Sequence, residues 1–316
     1  MKKFITTLLV AFLCFSMTAC SCGKSSDSYS KIKGSYFLDN PNLMGVGDVN
    51  ETCTYSLSIK PYQSAKITAE DISGFYRVNL ADTTYDVGGE EVNCYKLTAI
   101  FEMTGKYVYK GTIIPIDDSF KVDVYFYGAD KNLKPIHTEK TMKSTSAYVL
   151  TDKVEINTIE YSYSIDYTDT HANVSFTEVS DVFNLPEAFS KELPSNFIEN
   201  ELLLLYPRLF NLKDGYNVKQ STFVAVQNQN IKLATNRIST GTSVEMTYEH
   251  LGRTYNSIKL DCISLCQNST YSGPLLYGYY STLDGSSFNN AILFKIESGI
   301  DQVGQLVYTL TNYERG

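Results

Sequence analysis

Asp117 and Asp118 are adjacent carboxyl groups that could divide the roles of a general acid and a general base. Two carboxyl groups divide those roles only where their surroundings separate their pKa values. Here they lie between two strand runs, after Ile114-Pro115-Ile116, where a turn is the first reading. Asp166, Asp169 and His171 offer ligands for a cation, but short polar residues at a hairpin tip equally serve to turn the chain. Asp284-Gly285-Ser286-Ser287 begins like a calcium loop and lacks the alternating oxygen ligands that such a loop needs, so it too reads as a turn. The S-x-x-K spacings at Ser21 to Lys24 and Ser28 to Lys31 fall in a polar stretch with no burial to lower a lysine pKa. No G-x-S-x-G, H-E-x-x-H or C-x-x-C occurs. His137, His171 and His250 are the only histidines and are far apart, which argues against a histidine-based catalytic or zinc site. The expectation is a protein that is not an enzyme, with no catalytic residue, no metal and no cofactor.

Cysteine and tyrosine are the remaining side chains with chemistry. Cys53 and Cys94 each fall in a strand-like run of the first half and are the pair to test for a disulfide, with buried free thiols as the alternative. Cys262 and Cys266, if the chain between them is extended, are roughly 13 Å apart and beyond disulfide reach. Cys22 is a fifth free candidate and makes the number odd. The 25 tyrosines, with 16 Phe and no Trp, suit pleated strands. Tyr125, Tyr127 and the stripe Tyr161, Tyr163, Tyr167 either line a ligand pocket or fill the inside of a barrel.

The elements that must position these residues are strands. Phe120, Val122, Val124 and Phe126 alternate with Lys121, Asp123 and Tyr125, and Tyr161, Tyr163 and Ile165 alternate with Ser162, Ser164 and Asp166. Turn clusters such as Gly88-Gly89 and Gly128-Ala129-Asp130 separate these runs. The pattern predicts an all-β protein, an antiparallel meander or half-barrel. Two stretches lack alternation and are rich in Glu, Leu and Ala: Pro186 to Leu193 and Asn196 to Tyr206, stopped by Pro194 and Pro207, predict two short helices. The chain thus divides into a first β half-unit (35–183), a helical connector (184–212) and a second β half-unit (213–316). Gly89 to Leu97 can be laid on Gly252 to Leu260 with Gly, Asn, Lys and Leu in register, which suggests related half-units.

Met1-Lys2-Lys3 followed by the apolar run Phe4 to Phe15 predicts a signal peptide over residues 1–19. Met17-Thr18-Ala19-Cys20 resembles the lipobox of bacterial lipoproteins, which implies cleavage before Cys20 and lipid on its thiol. Ordinary cleavage after Ala19 would instead leave Cys20 as a free thiol. With the lipid in place, two or three acyl chains anchor the protein firmly, each buried CH₂ contributing roughly 0.8 kcal/mol. Residues 20–34 read as the lipidated cysteine and a flexible tether, its ends on the order of 20 Å apart. No later stretch approaches the length of a membrane-spanning helix. The expected location is a cell membrane, on its extracytoplasmic side. Loss of Lys2 and Lys3 takes the formal charge from −8 to −10, which opposes binding to nucleic acid.

Several further segments carry a resemblance: Val46-Gly47-Asp48, Asn93-Cys94-Tyr95-Lys96-Leu97, Asn132-Leu133-Lys134-Pro135-Ile136, Glu199-Asn200-Glu201-Leu202-Leu203-Leu204-Leu205-Tyr206-Pro207-Arg208-Leu209, and Gly304-Gln305-Leu306-Val307-Tyr308. Together, spread over roughly residues 36 to 313, they resemble an uncharacterised family of exported bacterial proteins, distantly like the lipoprotein-carrier half-barrel fold (LolA/LolB-like). The resemblance implies a fold and a compartment and supplies no activity. The expected function is non-catalytic binding of an apolar or amphipathic ligand, or of an envelope protein partner. The alternative is a surface module that recognises glycans or host and matrix protein through exposed tyrosines.

Overall fold

The computed structural model describes residues 49–128, 131–179, 187–209, 217–224, 232–267, 276–281 and 291–315. Cys20, Cys22, the signal peptide, the tether and Asp284-Gly285 lie outside the described residues. The first seven strands are β1 (Asn50–Pro61), β2 (Thr68–Val87), β3 (Glu90–Tyr109), β4 (Thr112–Phe126), β5 (Pro135–Leu150), β6 (Lys153–Tyr167) and β7 (His171–Val179). The short β8 (Ala188–Glu192) leads into a connector with two 3-10 turns, Asn200–Leu204 and Tyr206–Leu209. The rest is β9 (Asn217–Val224), β10 (Lys232–Thr240), β11 (Val244–His250), β12 (Arg253–Gln267), β13 (Leu276–Ser281), β14 (Leu293–Ile300) and β15 (Gly304–Arg315).

The alternation seen in the sequence is what builds these strands. In β4, Ile114, Ile116, Phe120, Val122, Val124 and Phe126 are buried, while Lys121 between them points to solvent. Each such side chain contributes about 1.5–3 kcal/mol by leaving water. All the strand pairings are antiparallel and form one sheet, in the order β8-β7-β6-β5-β4-β3-β2-β1-β15-β14-β13-β12-β10-β9, with β11 beside the first part of β12. The last strand pairs with the first, Tyr55 opposite Leu310 and Ile59 opposite Leu306, so both halves of the chain share one continuous sheet. The two segments of the internal match occupy comparable places, each passing from a glycine with positive φ (Gly89, Gly252) into a long strand, β3 or β12.

The sheet is open and strongly curled. Tyr167 at the end of β6 donates a hydrogen bond to Glu199, and Tyr280 on β13 donates one to the Leu204 carbonyl. β6 and β13 are eight places apart in the sheet, about 38 Å if it were flat. Five residues of chain span at most about 18 Å. Only a curled sheet brings both strands to the same short segment. At one end of the curl Gln302, in the β14–β15 turn, closes the gap with its amide. It accepts from the Val149 N–H at 2.8 Å and donates to the Val149 carbonyl at 3.4 Å, in place of a neighbouring strand. At the free edges Phe197 pairs in parallel with Ser221 of β9.

Two expectations need correction. The stretch expected as a first helix contains β8, because the edge of β7 from His171 to Ser175 offers backbone partners to five residues that are too few to nucleate a helix. The second expected helix is the pair of 3-10 turns, with N–H to C=O bonds from Leu202 to Glu199, Leu205 to Leu202 and Arg208 to Leu205. Pro207 has no N–H to give and disfavours α geometry in the residue before it. Almost every side chain from Phe197 to Leu209 is buried, so no solvent face exists for an amphipathic helix to present. Among the described residues, no helix is long and apolar enough to cross a membrane.

Candidate functional site

The concave face of the curl is where buried charge collects, around the connector. Lys140 lies on β5 in register with the inward-facing Thr138 and Met142, so its ammonium points into the core. There it forms an ion pair with Glu201, both side chains at 5% exposure or less. Burial lowers the Lys140 pKa and the Glu201 carboxylate beside it raises it more, so the lysine stays charged. Glu199, two residues earlier, accepts from Tyr167; burial, and then the negative Glu201, push its pKa up to about 8. At neutral pH Glu199 therefore holds a proton.

A second ion pair closes the other end of the connector. Arg208 donates from Nη1 to Glu51 Oε1 at 2.5 Å and from Nη2 to Glu51 Oε2 at 2.9 Å, and Tyr313 of β15 donates to the same carboxylate at 3.1 Å. The fork fixes Arg208 against β1 in the bidentate geometry that guanidinium and carboxylate share. Between the two pairs lies a partly open recess lined by Glu51, Cys53, Tyr55, Tyr76, Glu201 and Arg208, with leucines as its apolar walls. Its free volume is about 40 Å³, room for two or three waters. Burial, and then Glu51, raise the Cys53 thiol well above its ordinary range, so it is not a nucleophile.

Cys53 and Cys94 are separate buried thiols and not a disulfide. Cys53 shares the concave face with Tyr55 and Tyr76, whereas Cys94 is opposite Thr83 on the convex face. The sheet itself stands between them. Cys262 and Cys266 are free as well, held apart by an unbroken β12. Asp117 and Asp118 are not in a turn: both lie within β4, so as neighbours on a strand they point to opposite faces and cannot act as a pair. Asp117 is exposed and ion-paired with Lys143. Asp118 is buried where β4 and β5 part company, and its carboxyl accepts from the Thr145 N–H at 2.7 Å and from Ser144 at 3.4 Å. Burial raises its pKa to about 7 against those hydrogen bonds.

Asp166, Asp169 and His171 are dispersed over other partners. Asp166 is 2.7 Å from His137 Nδ1, Asp169 is ion-paired with Lys134, and His171, the first residue of β7, sits beside Thr170 of the preceding turn. Among the described residues no group of three His, Cys, Asp or Glu side chains is arranged to hold a metal. Tyr161 and Tyr163 stack in the concave core at 5.6 Å, and Tyr167 joins them at its rim. Tyr125 packs on the convex face with Tyr85 and His137, and Lys131 lies over the Tyr127 ring. Every described tyrosine is buried or half-buried. The residues that the sequence reading overlooked are Lys140 and Glu51, whereas Tyr167 belongs to the tyrosine stripe that it singled out. The signal for Lys140 was present: it interrupts the inward-facing series of β5, where alternation calls for an uncharged residue.

Comparison with known protein families, with curated proteins and with solved structures finds no match for this chain.

Proposed function

We propose that this chain is an exported lipoprotein, tethered through Cys20, that binds an apolar or amphipathic ligand on the concave face of its curled sheet without transforming it. The observation that carries the reading is the connector itself. Phe197, Ile198, Leu202, Leu203, Leu205 and Leu209 fill the concave face with apolar side chains supplied by a segment that has no strand ladder of its own beyond the Phe197 bridge. The same apolar surface would suit an acyl chain or similar group. With the connector seated, the recess admits only a few water-sized molecules, so a larger ligand enters by displacing part of it. Uncovering each large connector side chain costs about 1.5–3 kcal/mol, which favours a ligand able to bury comparable apolar area in its place.

The polar groups on this face, Lys140, Glu199, Glu201, Glu51 and Arg208, hold the connector, which supports binding over catalysis. The test is native mass spectrometry with organic extraction on the purified chain. A lipid or other amphiphile retained in stoichiometric amount supports the reading. A clean apo mass, together with no uptake of amphiphiles offered in solution, counts against it and turns the search to protein partners.

A further inference from the structure

The two ends of the strand order are finished differently. Along β9 the connector lies on the edge, where Ser221 donates its N–H to the Asn196 carbonyl and accepts from the Ile198 N–H, both at 3.0 Å. β8 is the other end, and among the described residues no strand lies beyond it. Its residues are exposed apart from the half-buried Phe189. Such an edge presents a row of N–H and C=O groups ready to pair with another strand.

The bonds to β7 fix which groups face outward. Phe176 donates to the Glu187 carbonyl and Leu193 to the Thr170 carbonyl, both at 2.8 Å, so in the β7–β8 register Glu187, Phe189 and Lys191 turn their backbone groups toward β7. Ala188, Ser190 and Glu192 turn theirs to solvent. Phe189 lies opposite Val174 and Lys191 opposite Ala172, both of which are buried in the concave core. Phe189 is also the last ring of a row, Tyr163 to Phe176 at 5.8 Å and Phe176 to Phe189 at 6.3 Å, that stops at the edge.

An added antiparallel strand must bring its own outward groups to Ala188 and Ser190. A second copy of β8, related by a twofold axis at Phe189, meets that condition: Ala188 falls opposite Ser190 of the second copy and exchanges both N–H···O bonds with it, once on each side of the axis. Phe189 meets its counterpart, which continues the aromatic row across the junction. Glu187 falls opposite Lys191 of the second copy, and the reverse, in pairs of the non-hydrogen-bonded kind where side chains approach most closely. A lysine on a short edge strand deters pairing with foreign strands, and this register matches it with an opposite charge. Moving the axis to Ser190 would set Lys191 against Phe189, and moving it to Lys191 would set two lysines against each other.

We propose that two copies of this chain join edge to edge through β8, antiparallel, with Phe189 on the twofold axis and Glu187 of each paired with Lys191 of the other. The strand is short, so the interface belongs to the small class and association depends on concentration. The inference does not rest on the ligand reading above, because it concerns the outer edge of the sheet and not its concave face.

The experiment is sedimentation velocity of the full chain from about 2 to about 200 µM, a range that brackets a weak dimer. The expected result is a shift from the mass of one copy toward that of two as the concentration rises. Ser190→Pro removes an outward N–H that β7 does not use, so it is expected to keep the parent's circular dichroism and to stay monomeric throughout. Glu187→Lys and Lys191→Glu each place like charges across the axis and are expected to weaken association about tenfold, while the double variant Glu187→Lys/Lys191→Glu restores the pairs and the parent's association. A parent that is monomeric at every concentration, a dimer that survives Ser190→Pro, or single reversals that the double variant does not rescue would each overturn the proposal.

Discussion

At the scale of single residues, the concave core is organised by charges that cannot be removed one at a time. Lys140→Ala leaves Glu201 buried without its cation, and a loss of about 3–5 kcal/mol is expected in urea unfolding, most of which the double variant Lys140→Met/Glu201→Leu should recover. Recovery in the double variant is the decisive readout, because it separates the cost of an orphaned charge from the loss of an interaction. Glu199 and Asp118 set the pH response. Both fold with pKa values raised above those of the unfolded chain, to about 8 and about 7, so the native state binds more protons than the unfolded one between pH 4 and 8. Their contribution to stability is full below pH 4 and declines as the pH rises through that window. Asp118→Asn should flatten the part of the slope below pH 7, seen as a smaller change in unfolding midpoint between pH 5 and 7.5.

At the scale of elements, the junction of the β14–β15 turn with β5 is the contact that completes the curl. Gln302→Ala removes both hydrogen bonds to Val149 and leaves two backbone groups in search of partners. A cost of about 1–3 kcal/mol is expected, with faster amide exchange at Val149 and little change at Val122 in the centre of the sheet. The connector shows why composition misled the sequence reading. Leu202 to Leu205 look like a helix when only propensity is weighed, but Pro207 and burial on all sides leave 3-10 turns as the conformation that fits. β8 makes the same point, since a five-residue segment takes the state that its neighbour's open edge offers.

At the scale of the whole molecule, the β1–β15 pairing makes the two halves of the chain interdependent. Residues 35–183 expressed alone would expose the edge of β1 and leave Glu51 without Arg208. We expect such a fragment to lack a cooperative thermal transition, whereas the whole chain should unfold in one step by circular dichroism; a cooperative fragment would show that the half-units are autonomous. Intact-mass analysis after alkylation offers a second check. In the native state Cys53, Cys94, Cys262 and Cys266 should resist the reagent, and after denaturation without reductant all four should be modified, because none is in a disulfide.

By itself the sequence determined the all-β class, the strands and their inward faces, because period-two alternation is a local property that burial of one sheet face requires. For Cys262 and Cys266 it determined only a condition, that they stay apart if the chain between them is extended, and the unbroken β12 of the structure supplies that extension. Only the tertiary structure decided that the first and last strands join, that Cys53 and Cys94 face opposite sides, and that Asp117 and Asp118 diverge within one strand. Glu51, Lys140, Glu201 and Arg208 come from three separate parts of the chain, and they meet only because a sheet that curls folds β1 and β5 around the same connector. Their attraction is a property of distance in space, which spacing along the sequence does not encode.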